Sequence, residues 1–276
     1  MIFGKMANTS TRVPITIRNE VYNMATVFCF TSTGNSLYAA KKIAEKIGGR
    51  VASINGKAGD CDDDVIGFVF PNFFGGLPRI ARRFIAEMRI VNKDAYVFAV
   101  VTCGGAGFGV LGLIKKLLKS KKIHLYYGAT ITSVSNYLPL YEVNDSEALK
   151  QKVDEKIAEI ADDVKNRKAN RISSALSFLN KLIYLAYPNE KSDRYFVVAP
   201  TCTGCGICQK ICPAMNVSME AGNPVFQRKC EHCLACLHHC PAQAIDWKEK
   251  TKGKERFRNA GVSLDELIAF NSCNEV

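Results

Sequence analysis

The chain has 276 residues, room for one or two domains. With 47% apolar and 23% charged residues its composition is that of a globular protein, and no uncharged apolar run of about 18 residues or more occurs, which excludes a hydrophobic membrane span. The formal charge is +11, but the basic residues are scattered and are not interleaved with aromatic platforms, so a nucleic-acid partner is not expected. Such a surface would instead steer an acidic protein partner.

Residues 1–23 are rich in Thr, Ser, Asn and Arg without apolar periodicity and read as a mobile N-terminal tail, with Met24 opening the folded part. Residues 25–30 are a continuous apolar run of β-formers, the mark of a strand buried on both faces. Thr31, Ser32, Thr33, Gly34, Asn35 and Ser36 follow. A helix then presents Leu37, Ala40, Ile43, Ala44 and Ile47 on one face and ends at Gly48-Gly49. A hydroxyl-rich turn from strand to helix suits an anion, because free N–H groups and the helix dipole meet there. The turn has no lysine, so it is not a Walker A loop, and it is not a Gly-x-Gly-x-x-Gly turn. A single phosphate monoester fits it best; a helix capped by Ser or Thr without a ligand is the alternative.

Further strands are expected at 50–54, 65–70, 95–101 and 125–133, with helices after Pro78 and after residue 109. This alternation implies a doubly wound parallel five-stranded α/β sheet, whose ligands bind beyond the C-terminal strand ends. Three unusual loops fall there. One is 31–36. Pro71, Asn72, Phe73, Phe74 and Gly75 lie in the second; Thr102, Cys103, Gly104, Gly105 and Gly107 lie in the third, with Phe108. The last two can grip a flat ring between glycine backbone and aromatic side chains. Residues 24–143 thus resemble the flavodoxin family, whose phosphate-loop pattern Thr/Ser-x-Thr-Gly-x-Thr recurs with Ser36 in the last place. The resemblance implies FMN as ligand, with Phe73 and Phe74 where many flavodoxins use Trp or Tyr.

Asn144 to Glu147 read as a capping box that opens a long helix. Residues 171–187 are more apolar and read as a helical connector packed between two domains, with a helix lying on a membrane surface as the alternative.

Eight of the twelve cysteines form two runs, Cys202, Cys205, Cys208 and Cys212, then Cys230, Cys233, Cys236 and Cys240, each closed by a proline. The second repeats the first at an offset of 28 residues, and Val197/Val225, Ala214/Ala242 and Val217/Ile245 extend the repeat. Three cysteines at three-residue spacing wrap three corners of an iron–sulfur cubane, and the fourth, before proline, reaches the other cluster. That predicts one [4Fe–4S] cluster on Cys202, Cys205, Cys208 and Cys240 and another on Cys230, Cys233, Cys236 and Cys212. Zinc, which takes four ligands in a tetrahedron, and disulfides are the alternatives. His232, His238 and His239 within the second run are expected to be solvated or to stand behind the ligands. Residues 194–247 resemble the bacterial two-cluster ferredoxins, a small α+β domain. After Trp247 five Lys or Arg fall in 248–256, and a basic surface tail is expected over 248–276.

The expected division is therefore a tail at 1–23, a flavodoxin-like domain at 24–143, a connector at 144–193, a ferredoxin domain at 194–247 and a tail at 248–276. The whole resembles the EFR1 family of flavodoxin-fold ferredoxins from anaerobes. The resemblance names an architecture more than a reaction; two [4Fe–4S] clusters joined to FMN lead to the expectation of a cytoplasmic electron carrier, whose basic surface would suit an acidic redox partner. A flavin reductase of a quinone or nitro compound and a scaffold with an empty flavin site are the rival readings. No catalytic acid or base stands out in the ring loops.

Overall fold

A computed structural model describes residues 24–272 except 56–57, 106, 108, 144–145 and 175–176. The expected N-terminal tail, the ring-loop residue Phe108 and the first two residues of the capping box lie outside the described residues.

The first half alternates as the apolar runs require: β1 (Ala25–Cys29), α1 (Asn35–Ile47), β2 (Arg50–Ser53), β3 (Asp60–Cys61), β4 (Val65–Pro71), α2 (Arg79–Glu87), β5 (Arg89–Ile90), β6 (Tyr96–Cys103), α3 (Val110–Ser120) and β7 (Tyr127–Thr132). Five strands make one sheet in the order β2-β1-β4-β6-β7, all parallel, with Cys29 opposite both Ser53 and Val69. This is the flavodoxin-like order, which reverses direction between β1 and β4 and so opens a crevice above those strand ends. Every residue of β1 and β6 is buried, because helices cover both faces. On one face α1 and the long α4 (Ser146–Lys165) pack over Val27, Val69 and Val100; on the other α2 and α3 cover Phe28, Phe68 and Val101. Burying each of these phenylalanines contributes roughly 1.5–3 kcal/mol. β3 and β5 form a separate parallel pair that the sequence pattern did not reveal, since two residues carry no periodicity.

The helical connector expected over 171–187 is helical in only part of that range. Residues 171–174 are not helical, and α5 spans only Ser177–Tyr184. It docks through Tyr184, which donates a hydrogen bond to the Leu77 carbonyl, and Tyr187 just beyond it is buried. Leu182 and Leu185 stay 65% and 77% exposed.

The cysteine repeat becomes a repeat in space. β8 (Phe196–Val198), α6 (Ile207–Lys210) and β9 (Val217–Glu220) are matched by β10 (Asn223–Phe226), α7 (Ala235–His238) and β11 (Ile245–Trp247). The strands pair across the halves, β8 with β11 and β9 with β10, both antiparallel. Left-handed backbone recurs at the same offset, at Gly204 and His232, Gly206 and Leu234, Met215 and Gln243. The two ligand loops therefore follow one backbone path.

The C-terminal stretch is not the surface tail expected from its charge. Phe257, Val262 and Leu267 are buried, and α8 (Leu264–Ser272) packs on α6 and α1, with Asn271 donating to the Ile211 carbonyl and Lys41 paired to Glu266. Apolar residues that follow the last lysine bury one side of this strap, and the Arg256 side chain is itself only 5% exposed, paired to Asp246.

Candidate functional site

The end of β1 turns into α1 through Thr31–Ser36. Thr31, Ser32, Thr33 and Ser36 are all buried, and each has its hydroxyl at the turn. Thr31 Oγ1 accepts from the Gly34 amide (3.2 Å), Ser36 Oγ bonds Thr102 Oγ1 (2.8 Å), and Asn136 Nδ2 donates to Thr33 Oγ1 (2.6 Å). Gly34 sits at φ +99°, and a Cβ there would come 2.9 Å from Cβ of Asn259 in the strap. Asn259 also donates its amide to the Thr33 carbonyl (2.9 Å) and its Nδ2 to Asn35 Oδ1 (2.9 Å). The turn is thus clamped from three sides. The first-turn amides of a helix have no partner inside it, which is the local feature that suits an anion.

The second loop is a tight reversal. Phe73 and Gly76 exchange amide-to-carbonyl bonds of 2.9 Å each, and Phe74 and Gly75 take φ +51° and +70°. This is the geometry of a type I′ turn, which needs positive φ at both central residues. A phenylalanine there is strained, and its ring is held in return: Phe74 stacks on Tyr187 (5.4 Å, 16°) and meets Tyr137 edge-on (5.0 Å). Phe73 packs edge-on against Phe30 of the core. Asn72 is tied by its amide to the Thr102 carbonyl (2.8 Å), while its Oδ1 is buried without a partner.

In the third loop, Cys103 donates its thiol to the Gly105 carbonyl (2.7 Å), and burial pushes that thiol above its ordinary range, so it stays protonated. Gly107 is not with the others. Space for a Cβ at that position is taken by the Thr130 side chain, and Gly107 lines a separate surface hollow behind α3.

The three loops, Gly34 and Gly107 apart, line one cleft of about 720 Å³, within the range of cofactor sites. Its remaining walls come from segments the sequence did not mark. Residues 133–137 follow β7 across it, and Leu140, Tyr141 and Glu142 form a rim, with Ile183 from α5. His232 and Cys233 of the ferredoxin-type module close the far side.

The histidines are not solvated. His232, His238 and His239 are 1%, 0% and 2% exposed. Burial, the largest cause in each case, pulls all three down to about 4, so they are neutral. His232 Nδ1 lies 3.2 Å from the Tyr137 hydroxyl, and its Nε2 is buried without a partner. His238 Nδ1 accepts from the Phe257 amide (3.1 Å), so Nε2 carries the proton and donates it to the Asn136 carbonyl (2.8 Å). Asn136 therefore links α7 to the Thr33 hydroxyl.

A second contact joins the modules on the other side of the cleft. Glu231, beside Cys230 and 3% exposed, accepts from the Arg79 amide at the start of α2 (2.9 Å) and from the Tyr187 hydroxyl (3.0 Å). The Arg79 guanidinium donates to the carbonyls of Pro188 (2.9 Å) and Cys230 (2.6 Å) and lies 4.1 Å over the Tyr187 ring. Glu231 is held above the ordinary carboxylate range by burial, against the pull of Arg79 and Tyr187.

The cysteines fall into two crossed quartets. Cys202, Cys205, Cys208 and Cys240 line one small cavity with Ile207, Met219 and Ile245. Burial pushes the Cys208 thiol up to about 11, and Cys205, Cys240 and Cys202 add to the rise. Cys236 is raised by burial and then by Cys212, Cys230 and Cys233, with Cys208 of the other quartet last. Backbone amides point at the sulfurs in matching places: Asn216 to Cys212 (3.3 Å) and Ala244 to Cys240 (3.3 Å), 28 residues apart, with His232 to Cys230 (3.2 Å). The quartets differ in exposure. Cys205 is exposed, whereas Cys233 of the second quartet lines the cleft.

Among solved structures the chain is similar to two crystal structures of candidate flavoproteins, from Bacteroides uniformis (17% identity, 48% of this chain and 97% of that one, TM-score 0.33) and Bacteroides eggerthii (17%, 49% and 98%, 0.34). It is also similar to the Trp repressor binding protein of Bacillus subtilis (9%, 50% and 97%, 0.32). Likeness at this level carries no functional argument. No curated protein matches the sequence. Among the described residues, no helix is long and apolar enough to cross a membrane. Residues 201–245 match the family of the 4Fe-4S dicluster domain, so the chain joins a flavodoxin-like α/β sheet to a ferredoxin-type iron–sulfur domain.

Proposed function

We propose that this chain is a cytoplasmic electron carrier, of the architecture its sequence shares with the EFR1 family, in which two [4Fe–4S] clusters exchange electrons with one FMN. The observation that carries this reading is the shared wall: the cleft built by the hydroxyl turn and the ring loops is closed by His232 and Cys233 of the iron–sulfur module. When bound, each cubane supplies one-electron chemistry and FMN one- or two-electron chemistry.

In this reading domain 24–143 holds FMN and domain 194–247 holds the clusters. The connector and the C-terminal strap lock the two together. The hydroxyls of Thr31, Ser32, Thr33 and Ser36 and the first amides of α1 hold the phosphate. Asn72, with its unpartnered buried Oδ1, supplies an acceptor to a ring N–H, and His232 Nε2 a second unsatisfied polar atom at the opposite wall. Phe74 and Tyr137 offer aromatic surface. Cys202, Cys205, Cys208 and Cys240 hold the outer cluster; Cys212, Cys230, Cys233 and Cys236 hold the inner one, and the amides directed at their sulfurs stabilise negative charge there. Among the described residues no three or more His, Cys, Asp or Glu side chains close on a single ion. A quartet that bonds the corner irons of a cubane stands further apart than one that encloses a lone zinc.

The test is anaerobic purification with iron and flavin analysis and visible spectra before and after dithionite. About eight irons and one FMN per chain are expected; eight irons without flavin under any reconstitution would remove the flavodoxin half of the proposal. A second reading, a flavin reductase of a quinone or nitro compound, draws on the apolar rim at Leu140 and Tyr141, 59% and 54% exposed. Saturable turnover of such an acceptor would favour it.

A further inference from the structure

The two halves of the iron–sulfur domain share a backbone but not a surface. At the outer end of the β8–β11 pair, Tyr195 meets Trp247 edge-on at 6.2 Å. Three cations gather on these half-exposed rings: Arg194 lies 4.8 Å over Tyr195, Lys248 4.1 Å over Tyr195 and 5.0 Å over Trp247, and Lys250 5.9 Å over Trp247. All three are exposed. The carboxylates alongside are engaged elsewhere, Asp246 with Arg256 (2.7 Å) and Glu249 with Lys252 (3.7 Å). At the offset of 28 residues, Trp247, Lys248 and Lys250 are replaced by Met219, Glu220 and Gly222, and Tyr195 by Asn223. Cluster binding by this backbone therefore does not require the basic aromatic face.

From this face an unbroken file of rings leads inward. Trp247 meets His232 at 5.1 Å, His232 meets Tyr137 at 5.9 Å, and Tyr137 meets Phe74 at 5.0 Å. His232 adjoins Cys233, and both line the cleft.

We propose that the Tyr195–Trp247 face is the docking surface for an acidic one-electron carrier protein. Resting on the function proposed above, this places electron entry beside the inner quartet rather than at exposed Cys205. Positive charge on rigid aromatic side chains complements an acidic patch, and Trp, Tyr and Arg are the residues that anchor protein interfaces. One electron leaves the reduced iron centre of the carrier and one cluster is reduced by it; no proton or bond is exchanged.

The test is stopped-flow reduction of the iron-loaded full chain by a reduced acidic plant-type [2Fe–2S] ferredoxin, read at cluster absorbance. Lys248→Glu with Lys250→Glu should slow the second-order rate about tenfold or more at low ionic strength. The difference should shrink at high salt. Reduction by the uncharged 5-deazariboflavin radical should be unchanged. An unaltered ferredoxin rate would overturn the proposal. So would equal slowing by Lys119→Glu with Lys122→Glu at the end of α3, or stronger slowing by Thr203→Glu beside Cys205. Because the readout is cluster reduction, absence of flavin would refute the proposed function without silencing this test.

Discussion

Arg79 joins the two modules through both its amide and its guanidinium, and Arg79→Ala is an informative perturbation. The substitution removes two charge-assisted hydrogen bonds, to Pro188 and Cys230, and the cation over Tyr187. It leaves Glu231 buried with only the residue-79 amide and the Tyr187 hydroxyl as donors. The guanidinium stands 3.8 Å from the Glu231 carboxylate, which at an effective dielectric constant near 20 corresponds to about 4 kcal/mol. Removing one partner of a buried pair costs about 3–5 kcal/mol. Arg79 retains 23% side-chain exposure, so solvent screens part of this and roughly 2–4 kcal/mol is expected. Local opening of the interface should then become roughly 30- to 1,000-fold more frequent. Amide hydrogen exchange read by mass spectrometry on the holoprotein measures it. Peptides covering 74–80, 184–188 and 229–233 should lose protection while β4 and β6 keep theirs. Glu231→Gln should recover part of the loss in the double variant, since the uncompensated charge goes with it. Protection within twofold of the parent at the interface, or equal loss throughout the sheet, would refute the reasoning.

Cys212→Ala should eliminate the cluster assigned to Cys230, Cys233 and Cys236 and spare the other, as read by electron paramagnetic resonance of the reduced protein; the opposite loss would contradict the crossed quartets. Gly34→Ala should cost about 1–2 kcal/mol from backbone alone, with further strain against Asn259, and should release flavin before iron on dilution. Loops 71–77 and 102–109 carry no Asp or Glu, and Glu142 at the cleft rim is paired with Lys254 at 2.9 Å. A reduced flavin should therefore meet little repulsion: in an anaerobic redox titration it should reach its two-electron level before both clusters are reduced, and Lys254→Gln should lower its potential. Burial, and then Asp163, raise Tyr96 and Tyr127 above the ordinary tyrosine value. Their folded-state pKa values exceed the unfolded ones, so their contribution is complete below about 10 and falls as pH rises beyond it. Tyr96→Phe should flatten the alkaline fall of the thermal midpoint; an unchanged slope would count against it.

Much of this protein was legible in the sequence because its signals are local. Apolar runs as long as a strand, followed by helical periodicity, leave a parallel sheet as the packing that buries both faces. The hydroxyl turn at 31–36, the Phe73–Phe74 reversal and Thr102–Gly105 sit at strand ends, so the topology brings them to one crevice. The cysteine repeat likewise states its own symmetry, since a loop closing on three corners of a cluster needs that spacing. Contacts between segments far apart in the chain were decided only by the tertiary structure. Nothing near Gly107 shows that it lies against Thr130, away from the cleft, and nothing near Asn259 shows that it closes on Gly34, 225 positions earlier. The strap looked solvated because five Lys or Arg crowd its first nine residues, yet Phe257, Val262 and Leu267 beyond them suffice to bury one side. The sequence left the histidines either solvated or standing behind the cysteines; they are buried, with His232 against Tyr137 and His238 between Asn136 and Phe257, all residues from other parts of the chain. Burial is a property of what arrives from elsewhere in the chain, and spacing along the sequence carries no record of it.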